Sequence, residues 1–200
     1  MRDRIIAAFN RPGLSPEHGS LRDRWPAQPQ GSADGELTSA AVLVPLIDHE
    51  SGMSVLLTQR TESLTDHSGQ ISFPGGRRED ADHSPVDTAL RETEEEVGID
   101  RAHIQVIGRL SVHETRTGYR VMPVIGVIDP PLALCPQPSE VAHIFEVPLD
   151  FVLDPANYRL ETYKGAPTGR KYRAIPYGEH YIWGLTARVL FELATVLRES

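Results

Sequence analysis

Two kinds of apolar pattern alternate along the chain. "ELTSAAVLVPLID" from Glu36 and "MSVLLTQR" from Met53 are nearly unbroken apolar runs, which predict buried strands joined by the turn "HESG". "HIQVIGRLSVHE" and "VMPVIGVID" predict further strands, "PPLALCPQPS" a loop, and "VPLDFVLD" a short helix. "YRLETY" and "KYRAIPY" predict a late hairpin around "KGAPTGR". The helical period appears at Arg2–Phe9, after Ser84, and in the closing segment "YIWGLTARVLFELATVLRE", which predicts a long amphipathic helix. Between the first helix and Glu36, "RPGLSPEHGSLRDRWPAQPQGSADG" is rich in Pro, Gly and Ser and has no period, as in an extended arm. The expected organisation is a helix and arm over residues 1–35 and one domain over 36–200. Strands mixed with a few helices indicate an α/β (α+β) architecture, a mixed sheet covered by helices.

The helix after Ser84 carries its own boundary signals. Ser84 suits an N-cap, Pro85 the first helical position, Asp87 the capping-box acid, and Gly98 the C-terminal stop. The predicted span is Pro85 to Val97. Val86, Ala89, Leu90 and Val97, with Thr93 between them, define its buried stripe. Glu92, Glu95 and Glu96 stand on a different side at i, i+3 and i+4 offsets. Like charges at that spacing cost a helix a few tenths of a kcal/mol per pair. They also lie in its C-terminal half, where the macrodipole disfavours acids. Three carboxylates converging on one patch form a hard-oxygen donor set suited to Mg²⁺ or Mn²⁺. The plain alternative is a solvated acidic face. Arg91, just before the cluster, and the Pro-Gly-Gly turn at Pro74–Gly76 favour the metal reading. Small residues there let a phosphate or metal approach the backbone.

Composition narrows the setting. The chain has 200 residues, enough for one domain with a full core plus a short extension. A formal net charge of -8 argues against a general nucleic-acid or anionic-membrane binder, but not against an anionic ligand whose charge metal ions carry. The lone Cys135 excludes an intrachain disulfide and a cysteine zinc site. The apolar core of the N-terminus, Ile5 to Phe9, is too short for a signal peptide, and no later run is long enough to span a membrane. The expectation is a soluble protein of the reducing cytoplasm.

"RETEEEVGI", Arg91 to Ile99, resembles the second half of the Nudix box, and Gly76 supplies its leading glycine. The stretch from Gly76 to Arg91 is one residue longer than usual. The isolated glutamate of the box falls on Asp82, or less directly on Glu79, and Thr93 replaces a hydrophobic residue. "LLTQRTESLTDHSGQISFPGG", Leu56 to Gly76, resembles the extension found in coenzyme A pyrophosphatases of that superfamily. Leu56, Leu57, Thr58, Arg60, Gly69 and Phe73 to Gly76 match. Thr61 stands where Ser or Ala is usual, and Thr65 where an Arg is usual. The longer box is itself typical of this subfamily, and "IWGLTARVL" resembles its closing helix. The resemblance spans Thr38 to Leu197.

That resemblance implies the Nudix α/β/α sandwich and metal-dependent hydrolysis of a nucleoside diphosphate derivative, namely coenzyme A or a short acyl-CoA. The alternatives are another Nudix substrate, such as ADP-ribose or a dinucleoside polyphosphate, or a non-catalytic nucleotide-binding module. Glu92 and Glu96 are the expected primary ligands of Mg²⁺ or Mn²⁺, and Glu95 a third ligand or water-binding group. Arg91 is expected to orient the glutamates. Arg60 is expected on a substrate phosphate, set against an ordinary surface arginine. Gly75 and Gly76 would admit the backbone to the metal site, and His67 would touch substrate, set against a solvated loop histidine. Glu140 is an outside candidate for the general base, set against a strand-edge acid. The expected partner is a small nucleotide, with no nucleic acid and no membrane; a homodimer is left open, the arm either docking on its own domain or swapping onto a second subunit.

Overall fold

The computed structural model describes residues 1–11, 25, 37–62, 69–163 and 169–199. The arm expected before Glu36 lies outside them except for Arg11 and Trp25. The elements are α1 (Arg2–Phe9), β1 (Thr38–His49), β2 (Gly52–Arg60), β3 (Ile71–Ser72), β4 (Gly75–Arg77), α2 (Pro85–Val97), β5 (Ile104–Arg109), β6 (His113–Glu114), β7 (Tyr119–Ile128), β8 (Val141–Pro148), α3 (Leu149–Leu153), β9 (Arg159–Thr162), β10 (Lys171–Tyr177), β11 (His180–Trp183) and α4 (Gly184–Arg198). One large mixed sheet runs β3-β2-β1-β7-β5, with β8 on the far edge of β2 and β6 on β7. β1 and β7 pair in parallel, from Thr38↔Tyr119 to Ile47↔Ile128, and the other pairs are antiparallel. A second sheet of three antiparallel strands runs β11-β10-β9.

Both faces of the large sheet are covered, which is why β1 and β2 read as continuous apolar runs rather than as an alternation. Ala41, Leu43, Ile47 and Leu56 pack with Ala89 and Val97 of α2 on one face. Val44, Leu46, Val55 and Leu57 pack on the other with Ile5 and Phe9 of α1 and Val189, Leu190 and Leu193 of α4. The first helix therefore belongs to the core of the domain. Burying Ile5 and Phe9 is worth about 1.5–3 kcal/mol each.

The feature that positions the site is a fork in the sheet. β1 pairs with β2 only near their shared turn, from Leu46↔Val55 to His49↔Gly52. Beyond it the two strands part, and the chain from Ile71 to Arg77 fills the gap. β3 bonds to β2 through Thr58↔Ser72 and Gln59↔Ile71, and β4 to β1 through Ala40↔Arg77, Ala41↔Gly76 and Val42↔Gly75. Between them, the Leu43 amide donates to the Pro74 carbonyl at 2.9 Å. The buried Phe73 and Pro74 thus close the fork and deliver the two glycines to the underside of α2.

Two sequence expectations are corrected. The closing helix begins at Gly184, and the preceding Tyr181, Ile182 and Trp183 form β11 against β10. These β-favouring residues alternate across the small sheet, and Gly184, with φ of 69°, separates them from the helix. The buried stripe of α2 also differs: Glu96 joins Ala89, Thr93 and Val97 inside, while Val86 and Leu90 are only half-buried. Among the described residues, no helix is long and apolar enough to cross a membrane.

Candidate active site

α2 forms where its local signals place it. Ser84 Oγ accepts from the Asp87 amide at 3.2 Å, and Asp87 Oδ2 accepts from the Ser84 amide at 2.9 Å, closing a capping box. Gly98 ends the helix in the left-handed conformation, with φ of 77°. The loop before β8 then satisfies two terminal carbonyls, Cys135 N–H donating to Val97 and Gln137 N–H to Glu96, each at 2.9 Å.

Over this helix the glycines meet the glutamates in pairs. The Gly75 amide donates to Glu96 Oε2 at 3.2 Å. A Cβ on the next residue, Gly76, would stand 2.5 Å from Glu92 Cδ. Two glutamates one helical turn apart therefore press on two consecutive residues of β4. Arg60 Nη1 lies 3.6 Å from Glu96 Oε1, so Arg60, Gly75, Gly76, Glu92 and Glu96 share one site.

Arg91 organises the other side. Its Nη1 donates to Glu92 Oε1 at 3.0 Å and to Glu95 Oε2 at 3.1 Å. Its Nε and Nη2 donate to Asp82 Oδ1 and Oδ2 at 3.2 and 2.9 Å, and Nη2 also reaches the Arg77 carbonyl at 3.0 Å. Such a two-pronged guanidinium–carboxylate pair fixes orientation as well as charge. Asp82 is itself only 4% exposed and also accepts from the Thr88 hydroxyl at 2.7 Å and the Glu79 amide at 2.9 Å. It is the anchor of the loop between β4 and α2. In the sequence it stood out only as the place of an offset box glutamate. Glu79 lies 3.8 Å from Arg91 Nη1 and is otherwise solvated.

The electrostatics separate the carboxylates. Burial pushes the Glu96 carboxyl up to about 8, with the charges of Glu92 and Glu140 adding to the rise and Arg60 and the Gly75 amide opposing it. Burial also raises Glu92, against the pull of Arg91 and with Glu95 and Glu140 assisting. For Asp82 burial pushes upward too, but the hydrogen bonds from Arg91, the Glu79 amide and Thr88 outweigh it and bring the group down to about 2. Glu140, half-buried on the turn before β8, thus acts on both Glu92 and Glu96.

The single carboxylate patch expected from the helical offsets is divided. Among the described residues, no three Asp, Glu, His or Cys side chains are gathered as a metal-holding group. Glu96 turns inward to Gly75 and Arg60, whereas Glu92 and Glu95 share Arg91, because each carboxylate takes the nearest donor. Glu95, with a side chain 59% exposed, stands outermost. His67 and Thr65 lie outside the described residues. The donor set nevertheless suits a hard divalent cation. Its oxygens come from one helix, and two of its carboxyls are held above their ordinary pKa by burial and like charge, a strain that a cation relieves.

A forked mixed sheet between helices, with a Gly-Gly strand under a glutamate-bearing helix, defines a class that sequence comparison names. The pattern of the NUDIX domain matches residues 37–160, and the chain belongs to the Nudix hydrolase family. Members of that family generally use divalent metal ions. The chain is 43% identical to an uncharacterized Nudix hydrolase, NudL, of Photorhabdus laumondii over 156 residues, 78% of this chain and 82% of that one. It is 40% identical to the NudL of Escherichia coli K12 over 156 residues, covering 78% and 80%. In structure it is similar to a MutT/nudix family protein from Enterococcus faecalis, with a TM-score of 0.53, 14% identity, and coverage of 100% of this chain and 75% of that one.

Proposed function

We propose that this chain hydrolyses the diphosphate linkage of coenzyme A or a short acyl-CoA, giving 3′,5′-ADP and 4′-phosphopantetheine or its acyl derivative. The observation that carries the proposal is the meeting of two sequence signatures in one place. Phe73–Gly76, from the stretch that resembles coenzyme A pyrophosphatases, is the segment that fills the fork and touches Glu92 and Glu96. Arg60, from the same stretch, stands 3.6 Å from Glu96.

In this reading Glu92, Glu95 and Glu96 hold Mg²⁺ or Mn²⁺. When bound, such an ion neutralises phosphate charge and lowers the pKa of a coordinated water. Arg91 is a positioning residue, holding Glu92 and Glu95 from its anchor on Asp82. Gly75 and Gly76 keep side chains out of the space over the carboxylates. Arg60 offers a guanidinium to a substrate phosphate beside Glu96. Glu140, whose charge bears on both buried glutamates, is the proposed acceptor of the proton from the attacking water.

The test is kcat/KM for coenzyme A, ADP-ribose, a dinucleoside polyphosphate and a deoxynucleoside triphosphate under the same Mg²⁺. Coenzyme A is expected to lead by at least about tenfold, more than 1.4 kcal/mol of transition-state preference. A flat profile across the panel would overturn the substrate and leave the family.

A further inference from the structure

A cavity of about 600 Å³ opens on the face of the sheet away from α2, between the end of β2, the edge strand β8 and the β10–β11 hairpin. Its volume lies within the range of small-molecule sites. Successive residues of a strand face opposite ways, and here that divides the two regions. Arg60 extends to Glu96, while Gln59 lines the cavity. The cavity and the glutamates are therefore separated by the thickness of one strand, at the point where that strand ends.

The lining has a specific chemistry. His143 and His180 stand at the wall with Phe145 beneath His180, ring centroids 3.7 Å apart and planes within 9°. The His143 ring is 5.9 Å from that of His180, and the two planes differ by 18°. Three rings thus share nearly one orientation, a platform for a further flat ring. Trp183 forms another wall and is braced edge-on by Tyr172 at 5.7 Å. Besides the two imidazoles, the polar groups are the Gln59 amide, the Glu179 carboxylate at the hairpin turn, and the Tyr181 hydroxyl, which donates to Glu161 Oε2 at 2.7 Å. Among the described lining residues there is no Lys or Arg, and Glu179 would repel an anion. The site disfavours a phosphate. It suits an uncharged aromatic heterocycle whose exocyclic amino group donates to a carboxylate.

We propose that this cavity seats the amino-bearing purine of the nucleotide, stacked on the His143–His180–Phe145 platform with its amino group on Glu179, while the phosphates turn round the end of β2 past Arg60. This rests on the reading of the carboxylate site as one for a nucleoside diphosphate, and adds where the base goes and what selects it.

The test is binding without hydrolysis, on the full chain in excess chelator. Adenosine 5′-monophosphate is titrated while the imidazole NMR signals of His143 and His180 are followed, assigned with the His143→Gln and His180→Gln variants. Saturable movement of both signals is expected. Inosine 5′-monophosphate, which lacks the amino group, should bind about tenfold more weakly, and Glu179→Gln should narrow that difference. His180→Ala should lower the affinity for adenosine monophosphate about tenfold, as expected for loss of a stacking partner, with the melting temperature held. Unmoved imidazole signals, equal binding of the two nucleotides, or equal competition by ribose 5-phosphate would overturn the proposal. The two readings fail separately. Hydrolysis of coenzyme A with silent imidazoles removes the base site alone. Shifted imidazoles with no coenzyme A hydrolysis remove the substrate assignment alone.

Discussion

The carboxylate of Glu92 lies directly on the α-carbon of Gly76, so that a methyl group there would stand 2.5 Å from both Glu92 Cδ and Oε1. The clash is with the far end of a flexible side chain, which can swing aside at little cost. Gly76→Ala is therefore expected to keep the melting temperature within a few degrees and to reduce turnover by about a hundredfold, because the displaced carboxylate is lost from the site. At Gly75 the added Cβ would meet the Ala41 carbonyl and Val42 Cα, each at 2.5 Å, and φ is 154°. Gly75→Ala is expected to destabilise by about 1–3 kcal/mol or more. Thermal unfolding beside steady-state kinetics separates the two, and a Gly76→Ala enzyme of normal turnover would remove Glu92 from the active site.

Metal dependence follows from the donor set. Hydrolysis is expected to vanish in excess chelator and return with Mg²⁺ or Mn²⁺, and the metal should raise the melting temperature, since it binds the folded carboxylates preferentially. Full activity in excess chelator would refute the metal site.

Glu96 gives the metal-free protein a pH signature. Its carboxyl titrates near 8 in the fold against an ordinary 4.5, so the folded state holds a proton that the unfolded chain has released. The stability it contributes is complete below about 4.5 and is lost as pH rises through about 8. In chelator, the melting temperature should fall across that window. Glu96→Gln, which cannot ionise, should flatten the profile while lowering turnover by at least about a hundredfold. Identical profiles for the two proteins would show that Glu96 is not buried as described.

Asp82 has the opposite sign. Its carboxyl is held near 2 against an ordinary 3.8, so its contribution is present above about 3.8 and disappears as pH falls through about 2. Asp82→Ala leaves Arg91 without its two-pronged partner and should cost about 3–5 kcal/mol, the range for breaking a buried pair. It should also reduce turnover while leaving the glutamates themselves intact. Retention of full stability, read by denaturant unfolding, would demote the Asp82–Arg91 pair from anchor to incidental contact.

Much of this was legible in the sequence because its causes are local. The cap, proline and glycine signals of α2 lie within its own residues, and the helix begins and ends at the predicted Pro85 and Val97. The runs that became β1 and β2 are likewise self-contained. What could not be read depends on distant pairing. Pro74–Gly76 reads as a turn, and only the divergence of β1 from β2 makes the chain from Ile71 to Arg77 two short strands. Glu96 reads as a metal ligand on a side apart from the buried stripe, and only Gly75 and Arg60 above it explain its burial. The last helix reads as starting too early because Tyr181–Trp183 continues its apolar run, although Gly184 signals the boundary.

The contact between Gly76 and Glu92 and the grip of Asp82 on Arg91 fix both ends of the connection between β4 and α2. The chain between Arg77 and Ala81 is exposed. An added residue there changes only slack, and the tethers at either end keep the register of glycine against glutamate. A box one residue longer than the usual pattern thus still holds Glu92 over Gly76 in this chain. Lengthening this connection at Asp80 should leave the ligand helix unmoved, whereas one residue inserted within α2 between Pro85 and Arg91 would rotate every glutamate away from β4 by about a quarter turn.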